Sequence, residues 1–161
     1  VKVLLFFDVG GSMDPHVRGC EELFSASRTE FKHMENFYFH NFFYESMWKN
    51  NVRRHAERTS TLDILHKYAH DYKVIIVGDA SMSPYEVAYV GGANEHWNEE
   101  PGQVWLQRAR QQWSNHLWIN PTPERHWQYT QSIQMIREIF EGAMVPMTLE
   151  GITRGIKELA K

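Results

Sequence analysis

The chain is poor in features that mark several large classes of protein. Its single cysteine, Cys20, excludes an internal disulfide and suits a reducing compartment. There is no excess of positive charge, since 17 lysines and arginines stand against 20 aspartates and glutamates, so nucleic acid is not an expected partner. No apolar run approaches the roughly 20 residues that span a bilayer. We therefore expect a soluble cytoplasmic protein without direct membrane insertion.

Length and composition favour one globular domain over residues 1–161. The hydrophobic fraction of 42% is ordinary for a protein that buries a substantial core. The sequence begins inside an apparent strand and without an initiator methionine. We therefore expect this domain to be the C-terminal part of a longer protein.

Apolar segments alternate with helical patterns along the chain. Residues 3–7 and 74–77 are apolar without alternation, which predicts adjacent central strands buried on both faces. Helix starts are predicted near Asp14, Ser83, Thr122 and Thr148. The helix that starts near Asp14 is expected to extend as far as Met34, with one apolar face along its length. Further strands are predicted within residues 36–44, 116–121 and 143–147.

This alternation predicts the fold class. It is α/β, a three-layer α/β/α sandwich with a mainly parallel central sheet, covered by helices on both faces. The helix that opens at Thr122 is expected to run on through Ile133, Ile136 and Ile139.

Two of the predicted strands are followed by an aspartate. Asp8 comes directly after residues 3–7 and precedes Gly10, Gly11 and Ser12. Asp79 follows residues 74–77 and is separated from them by Gly78 alone. The carboxyl ends of strands are where a doubly wound sheet usually holds its ligand. Carboxylate and hydroxyl oxygens suit a hard cation such as Mg2+. The simpler alternative is that both aspartates only cap turns at the ends of buried strands.

These motifs, with several later blocks, resemble those of a von Willebrand factor A (VWA) domain, specifically the bacterial CoxE-like VWA family. The resemblance covers essentially the whole chain. The general VWA motif D-x-S-x-S corresponds to Asp8-Val9-Gly10-Gly11-Ser12-Met13. The other matching segments are Thr59-Ser60-Thr61, Val77-Gly78-Asp79-Ala80, Ser83-Pro84-Tyr85-Glu86, His96-Trp97-Asn98-Glu99-Glu100 and Trp118-Ile119-Asn120-Pro121.

The resemblance implies a Rossmann-like sandwich with a metal-ion-dependent adhesion site (MIDAS). Its metal ligands, for Mg2+ or Mn2+, would be Asp8, Ser12, Thr59 and Asp79. A helix is predicted through Leu62, Ile64, Leu65 and Tyr68, and Thr61 is an alternative to Thr59 because it could cap that helix. Gly10 stands where the family has a serine, so one hydroxyl ligand is missing, and a water in its place would give weaker metal binding.

The resemblance also implies the function. CoxE-like proteins are companions of MoxR-type AAA+ ATPases in the maturation of metalloenzymes, including the active site of carbon monoxide dehydrogenase. We therefore expect a non-enzymatic module whose bound cation takes a carboxylate from a partner protein. Residues 81–102 form a long insertion after Asp79, in which Trp97 and Glu99 are the predicted partner-binding residues.

Two other functions remain open from the sequence. A metal-dependent hydrolase or phosphotransferase could use the same acids, with Asp8 as nucleophile or metal ligand. Phosphatases of that type usually have a second aspartate two residues on, where this chain has Gly10, and the block around His96 lacks the H-E-x-x-H spacing of a zinc protease. The third possibility is a structural VWA domain whose metal site is degenerate.

Overall fold

The structure is a computed structural model that describes residues 2–10, 13–27, 33–40, 44, 46–48, 58–91 and 100–160. It is a mixed α/β protein built around a seven-stranded, mostly parallel sheet. None of the described helices is long and apolar enough to cross a membrane.

Five of the seven strands, β1, β2, β5, β6 and β7, run parallel to one another. The sheet order is β4-β3-β2-β1-β5-β6-β7, and the short β3 is antiparallel to both of its neighbours. The strands are β1 (Lys2–Asp8), β2 (His33–Phe39), β3 (Ser46–Trp48), β4 (Arg58–Ser60), β5 (Lys73–Val77), β6 (His116–Asn120) and β7 (Met144–Pro146).

Most of the helices connect the strands. They are α1 (Asp14–Ser27), α2 (Thr61–Lys67), α3 (Pro84–Ala88), α4 (Gly102–Gln112), α5 (Gln131–Ile139) and α6 (Leu149–Leu159), with a 3-10 helix at Glu124–Tyr129. Two starts have the expected caps. The Ser83 hydroxyl accepts the Tyr85 amide while Glu86 accepts the Ser83 amide, and Thr148 accepts the amide of Gly151.

The sheet has an apolar core on each face. Along β1, Leu4 and Phe6 contribute to one core and Leu5 and Phe7 to the other, as the two-residue period of a strand requires. Helices α2 to α5 contribute buried side chains to the first core, and α6 contributes to the second. Because β1 and β5 pair as parallel neighbours, the prediction of adjacent central strands is confirmed.

Two helix predictions were wrong in extent. Helix α1 ends at Ser27, and Met34 lies in β2 opposite Val3, because the segment after residue 32 alternates and places Phe37 and Phe39 in the core. The helix expected from Thr122 is divided. The buried Trp127 donates its indole N–H to the Thr122 carbonyl at 2.8 Å and fixes a 3-10 turn, and extended backbone at Thr130 separates this turn from α5.

Candidate metal centre

Asp8 and Asp79 lie at the same edge of the sheet. Asp8 is the last residue of β1 and Asp79 lies two residues beyond β5, whose Val77 pairs with Phe7. Both side chains are buried, with exposures of 1% for Asp8 and 5% for Asp79. We call this edge, marked by Asp8, Asp79 and Asn120 at the ends of β1, β5 and β6, the carboxyl edge.

Gly78 lets the Asp8 side chain lean toward β5. A Cβ atom built on Gly78 would lie 3.0 Å from Asp8 Cβ and 3.3 Å from Asp8 Oδ2. The Asp8 carboxylate therefore occupies the space that a larger residue at position 78 would need. This packing brings Asp8 close to the backbone that leads directly into Asp79.

The turn after β1 is ordered by its own aspartate. Asp8 Oδ1 accepts the backbone N–H of Gly10 at 2.8 Å, and the Val9 N–H is bonded to the Phe39 carbonyl on β2. The Met13 N–H then donates to the Gly10 carbonyl at the start of α1. The capping role that the simpler alternative gives to Asp8 is thus real, and it engages Oδ1.

Asp79 makes a similar local contact. Its Oδ1 accepts the Ser81 N–H at 3.1 Å, across Ala80, whose positive φ of 57° places it in the left-handed region. Within the described part of the chain, no lysine, arginine or histidine nitrogen lies within 4.0 Å of the Asp79 carboxylate. A buried carboxylate without a cationic partner is costly, and a bound cation would offset that cost.

Three side chains hold the backbone on either side of Asp79. The Trp118 indole N–H donates to the Gly78 carbonyl at 2.8 Å, and the Asn120 amide donates to the Asp79 carbonyl at 2.9 Å. The Ser132 hydroxyl donates to the Ala80 carbonyl at 2.6 Å and accepts the Met82 N–H at 3.1 Å. The sequence singled out the block that contains Trp118 and Asn120 but indicated no role for it, and nothing in the sequence identified Ser132.

The two threonines occupy different places. Thr59 lies in β4 opposite Met47, separated from β1 by β3 and β2 in the sheet. Thr61 is the first residue of α2, is 2% exposed, and donates its hydroxyl to the Tyr44 carbonyl at 2.6 Å. The expected helix cap by Thr61 is wrong, because the N-cap position belongs to Ser60, whose side chain makes no cap hydrogen bond. The choice between the two as metal ligand stays a prediction.

Three predicted functional residues lie outside the described residues. They are Ser12, Trp97 and Glu99, so their places in the site remain sequence predictions. Gly10 is described, and it supplies a backbone N–H to Asp8 where the family serine would supply a hydroxyl.

The donor chemistry at this edge fits a hard cation. Asp8 and Asp79 offer carboxylate oxygens from neighbouring strand ends, which is the ligand type that Mg2+ prefers. Over the described ranges, no group of three or more histidine, cysteine, aspartate or glutamate side chains could hold a metal. A cation here would thus need hydroxyl and water oxygens in addition to the two carboxylates.

Polar burial is concentrated around the carboxyl edge. The buried polar side chains of the described residues end a strand at this edge, lie in the segment after such a strand, or contact such a segment. They are Asp8, Thr61, Asp79, Glu86, Asn120 and Ser132. Exposed large apolar side chains lie in the segments that leave the carboxyl ends of β4 to β7, and they are Leu62, Tyr85, Tyr89, Val90, Tyr129 and Leu149. This edge therefore combines a buried polar centre with an apolar, solvent-exposed rim.

Comparison of the chain with protein-family models, with curated proteins and with solved structures found no match. The family resemblance therefore rests on the residues and motifs of the chain itself.

Proposed function

We propose that the chain is a CoxE-like VWA domain acting as a divalent-cation-dependent protein-interaction module. The proposed architecture is the three-layer α/β/α, Rossmann-like sandwich of that family. Support comes from the parallel central strands, the apolar core on each face of the sheet, and the two acids at one edge. The observation that carries the proposal is the pair of buried carboxylates, Asp8 and Asp79, at the ends of neighbouring strands.

In this proposal Asp8 and Asp79 hold Mg2+ or Mn2+, with Ser12 and Thr59 or Thr61 adding hydroxyl oxygens directly or through water. When bound, the cation supplies an open coordination position for a carboxylate of the partner. The chain's own residues fix the geometry, since Trp118, Asn120 and Ser132 hold the backbone around Asp79. Gly10 leaves one position to water, which lowers affinity and does not abolish binding.

The proposed partners are a MoxR-type AAA+ ATPase and a metalloenzyme client, in the cytoplasm. The apolar rim supports a protein partner, because exposed aromatic side chains are frequent anchors of protein interfaces. Tyr85 and Tyr89 are 62% and 56% exposed, and their ring centroids lie 5.0 Å apart on α3. Both lie in the insertion of residues 81–102, in which Trp97 and Glu99 are the predicted contacts.

The degenerate-site hypothesis is the strongest competitor. It is favoured by Gly10 and by the limited set of charged ligands among the described residues. An enzyme is less well supported, because the position two residues after Asp8 lacks the second aspartate of a phosphotransferase. A phosphate-ester panel with added Mg2+ would reveal the enzyme, and a metal titration would separate the two non-enzymatic hypotheses.

Partner binding is tested by co-purification with the MoxR-type ATPase of the native host, in Mg2+ or with chelator. The parent protein should recover the ATPase only with Mg2+, and Asp8→Ala should lose it because the cation is no longer held. Asp71→Asn is the matched control, since Asp71 is an exposed acid at the opposite edge. Trp97→Ala should weaken recovery as an interface anchor does, by about 2 kcal/mol. Equal recovery in every sample would refute the adhesion-site mechanism.

A further inference from the structure

A groove of about 570 Å3 lies beside the edge strand β7. Its walls are the end of α5, the second half of α6 and the starts of β6 and β7. The volume is in the range of small-molecule sites. Its exposed lining is more polar than apolar, and the apolar part includes five largely buried residues, namely Leu117, Phe140, Met144, Val145 and Leu159.

Two arginines line this groove from opposite helices. Arg137 comes from α5 and Arg154, which is exposed, from α6. The Arg137 guanidinium carbon lies 5.2 Å from the ring centroid of Trp127. No carboxylate oxygen of the described residues lies within 4.0 Å of either guanidinium. Both positive charges are therefore available to a ligand.

The Arg137 side chain also has an unmet hydrogen bond. Its Nε atom is buried and has no acceptor among the residues that the structure describes. A buried donor without an acceptor costs on the order of 1–3 kcal/mol, and more when the group is charged. The terminal nitrogens of the planar guanidinium can donate two parallel hydrogen bonds to a carboxylate in the groove.

The free edge of β7 is poorly suited to an added strand. The Met144 N–H already donates to the Gly142 carbonyl at 2.8 Å. Pro146 has no N–H, and its carbonyl accepts the Thr148 N–H at 2.9 Å. Since strand addition depends on a row of free backbone groups, the groove favours a small molecule over an extended peptide.

The acidic side chains of the groove limit the charge of that molecule. Glu141 is paired with Arg110, while Glu124 and Glu158 are exposed carboxylates on the lining. The Glu124 carboxylate would repel a multiply charged anion and tolerate a ligand with one negative charge held at Arg137. The apolar atoms of the lining suit a small hydrocarbon body on the same ligand.

We propose that this groove binds an organic monocarboxylate, with Arg137 holding the carboxylate and Arg154 adding positive charge at the mouth. The ligand's hydrocarbon part contacts the buried apolar side chains. The site does not depend on the proposed cation at the carboxyl edge.

The test is titration of the full chain with benzoate and hexanoate, followed by NMR. Saturable shifts at the groove are expected, with dissociation constants on the order of 1 mM for ligands of this size. Arg137→Gln should weaken binding about tenfold or more, and Arg137→Lys should weaken it less because the charge is kept. Arg154→Gln should have a smaller effect. Arg125→Gln, an exposed arginine outside the groove, should have none.

Four results would overturn the proposal. The first is no saturable binding of either acid, which would mean that water alone occupies the groove. The second is equal binding of neutral benzamide, and the third is tighter binding of inorganic phosphate. The fourth is an affinity that stays unchanged in both Arg137→Lys and Arg137→Gln, provided that both variants keep the melting temperature of the parent. Asp79→Asn should leave the titration unchanged, so this test and the metal proposal fail independently.

Discussion

The two edges of the central sheet differ in whether their charged side chains are exposed or buried. At the amino edge, where Lys2, Lys73 and His116 begin β1, β5 and β6, charged side chains pair at the surface; Lys2 Nζ lies 3.3 Å from Asp71 Oδ2 with both side chains about half exposed. At the carboxyl edge, Asp8 and Asp79 are buried. Exposed ion pairs contribute little to stability, whereas buried acids need compensation. The carboxyl edge thus carries a cost that function would explain.

The buried polar groups of the carboxyl edge depend on backbone contacts. Asn120 is fully buried, donates to the Asp79 carbonyl and accepts the Thr122 N–H at 2.9 Å. Asn115, which directly precedes the same strand at the amino edge, has an exposed side chain. The two asparagines offer a direct comparison of the edges.

The largest expected effect is that of Asn120→Ala. It removes the hydrogen-bond partner of the buried Asp79 carbonyl and of the part-buried Thr122 N–H, so the free energy of unfolding should fall by about 2–4 kcal/mol. Asn115→Ala should change it by less than about 0.5 kcal/mol. Urea unfolding of both variants measures the difference. Similar losses in the two would show that the edges do not differ in this way.

The next effect concerns the space over Gly78. In Gly78→Ala the new Cβ would meet Asp8 at 3.0–3.3 Å, so the carboxylate must move. We expect a loss of about 1–3 kcal/mol in unfolding free energy. We expect Mg2+ to raise the free energy of unfolding of the parent protein, because it binds only the folded state, and we expect this metal response to disappear in Gly78→Ala.

Gly19→Ala is the control for that substitution. Gly19 is exposed within α1, and a Cβ there would meet nothing within 4 Å. Alanine should stabilise the helix by about 0.5–1 kcal/mol and leave the metal response intact. Retention of the full metal response in Gly78→Ala would contradict the placement of Asp8 in the site.

The smallest effect is a pH dependence at the amino edge. Burial lowers the pKa of His116 below its ordinary value of 6.5, although the Trp113 carbonyl near Nδ1 partly opposes this shift. As the pH falls through 6.5, the unfolded chain takes up a proton before the folded protein does. The free energy of unfolding should therefore fall as the pH falls below 6.5.

The His116 effect is measured by NMR titration of its ring and by urea unfolding between neutral and mildly acidic pH. The free energy of unfolding should depend less steeply on pH in His116→Gln than in the parent. A ring that titrates at or above 6.5, with the same slope in the variant, would contradict the burial argument.

Much of the fold was predictable because strong local patterns govern it. The uninterrupted apolar runs around Leu5 and Ile75 identified central strands, and Ser83 with Glu86 identified a helix start. The 3-10 helix was missed because it depends on Trp127 reaching back to the Thr122 carbonyl, which residue spacing does not reveal. The end of α1 was missed because Met34 fits both a helical face and a strand.

The candidate site was predictable only in part. Strand-end position identified Asp8 and Asp79, since the carboxyl ends of parallel strands meet at one edge. The contribution of Ser132 could not be foreseen, because a serine 52 positions away meets the Ala80 carbonyl only through tertiary packing. The role of Thr61 was likewise set by a distant partner, the Tyr44 carbonyl, and not by its own helix.

The central claim is that Asp79 at the carboxyl edge helps to hold a divalent cation. The most direct measurement is Mn2+ binding by electron paramagnetic resonance for the parent, Asp79→Asn and the amino-edge control Asp71→Asn. Loss of an outer partner of a metal ligand already costs 10–100-fold in affinity, so loss of a direct ligand should cost at least about tenfold. We predict saturable binding by the parent and Asp71→Asn and its loss in Asp79→Asn. No binding by the parent, or equal binding by Asp79→Asn, would contradict the account.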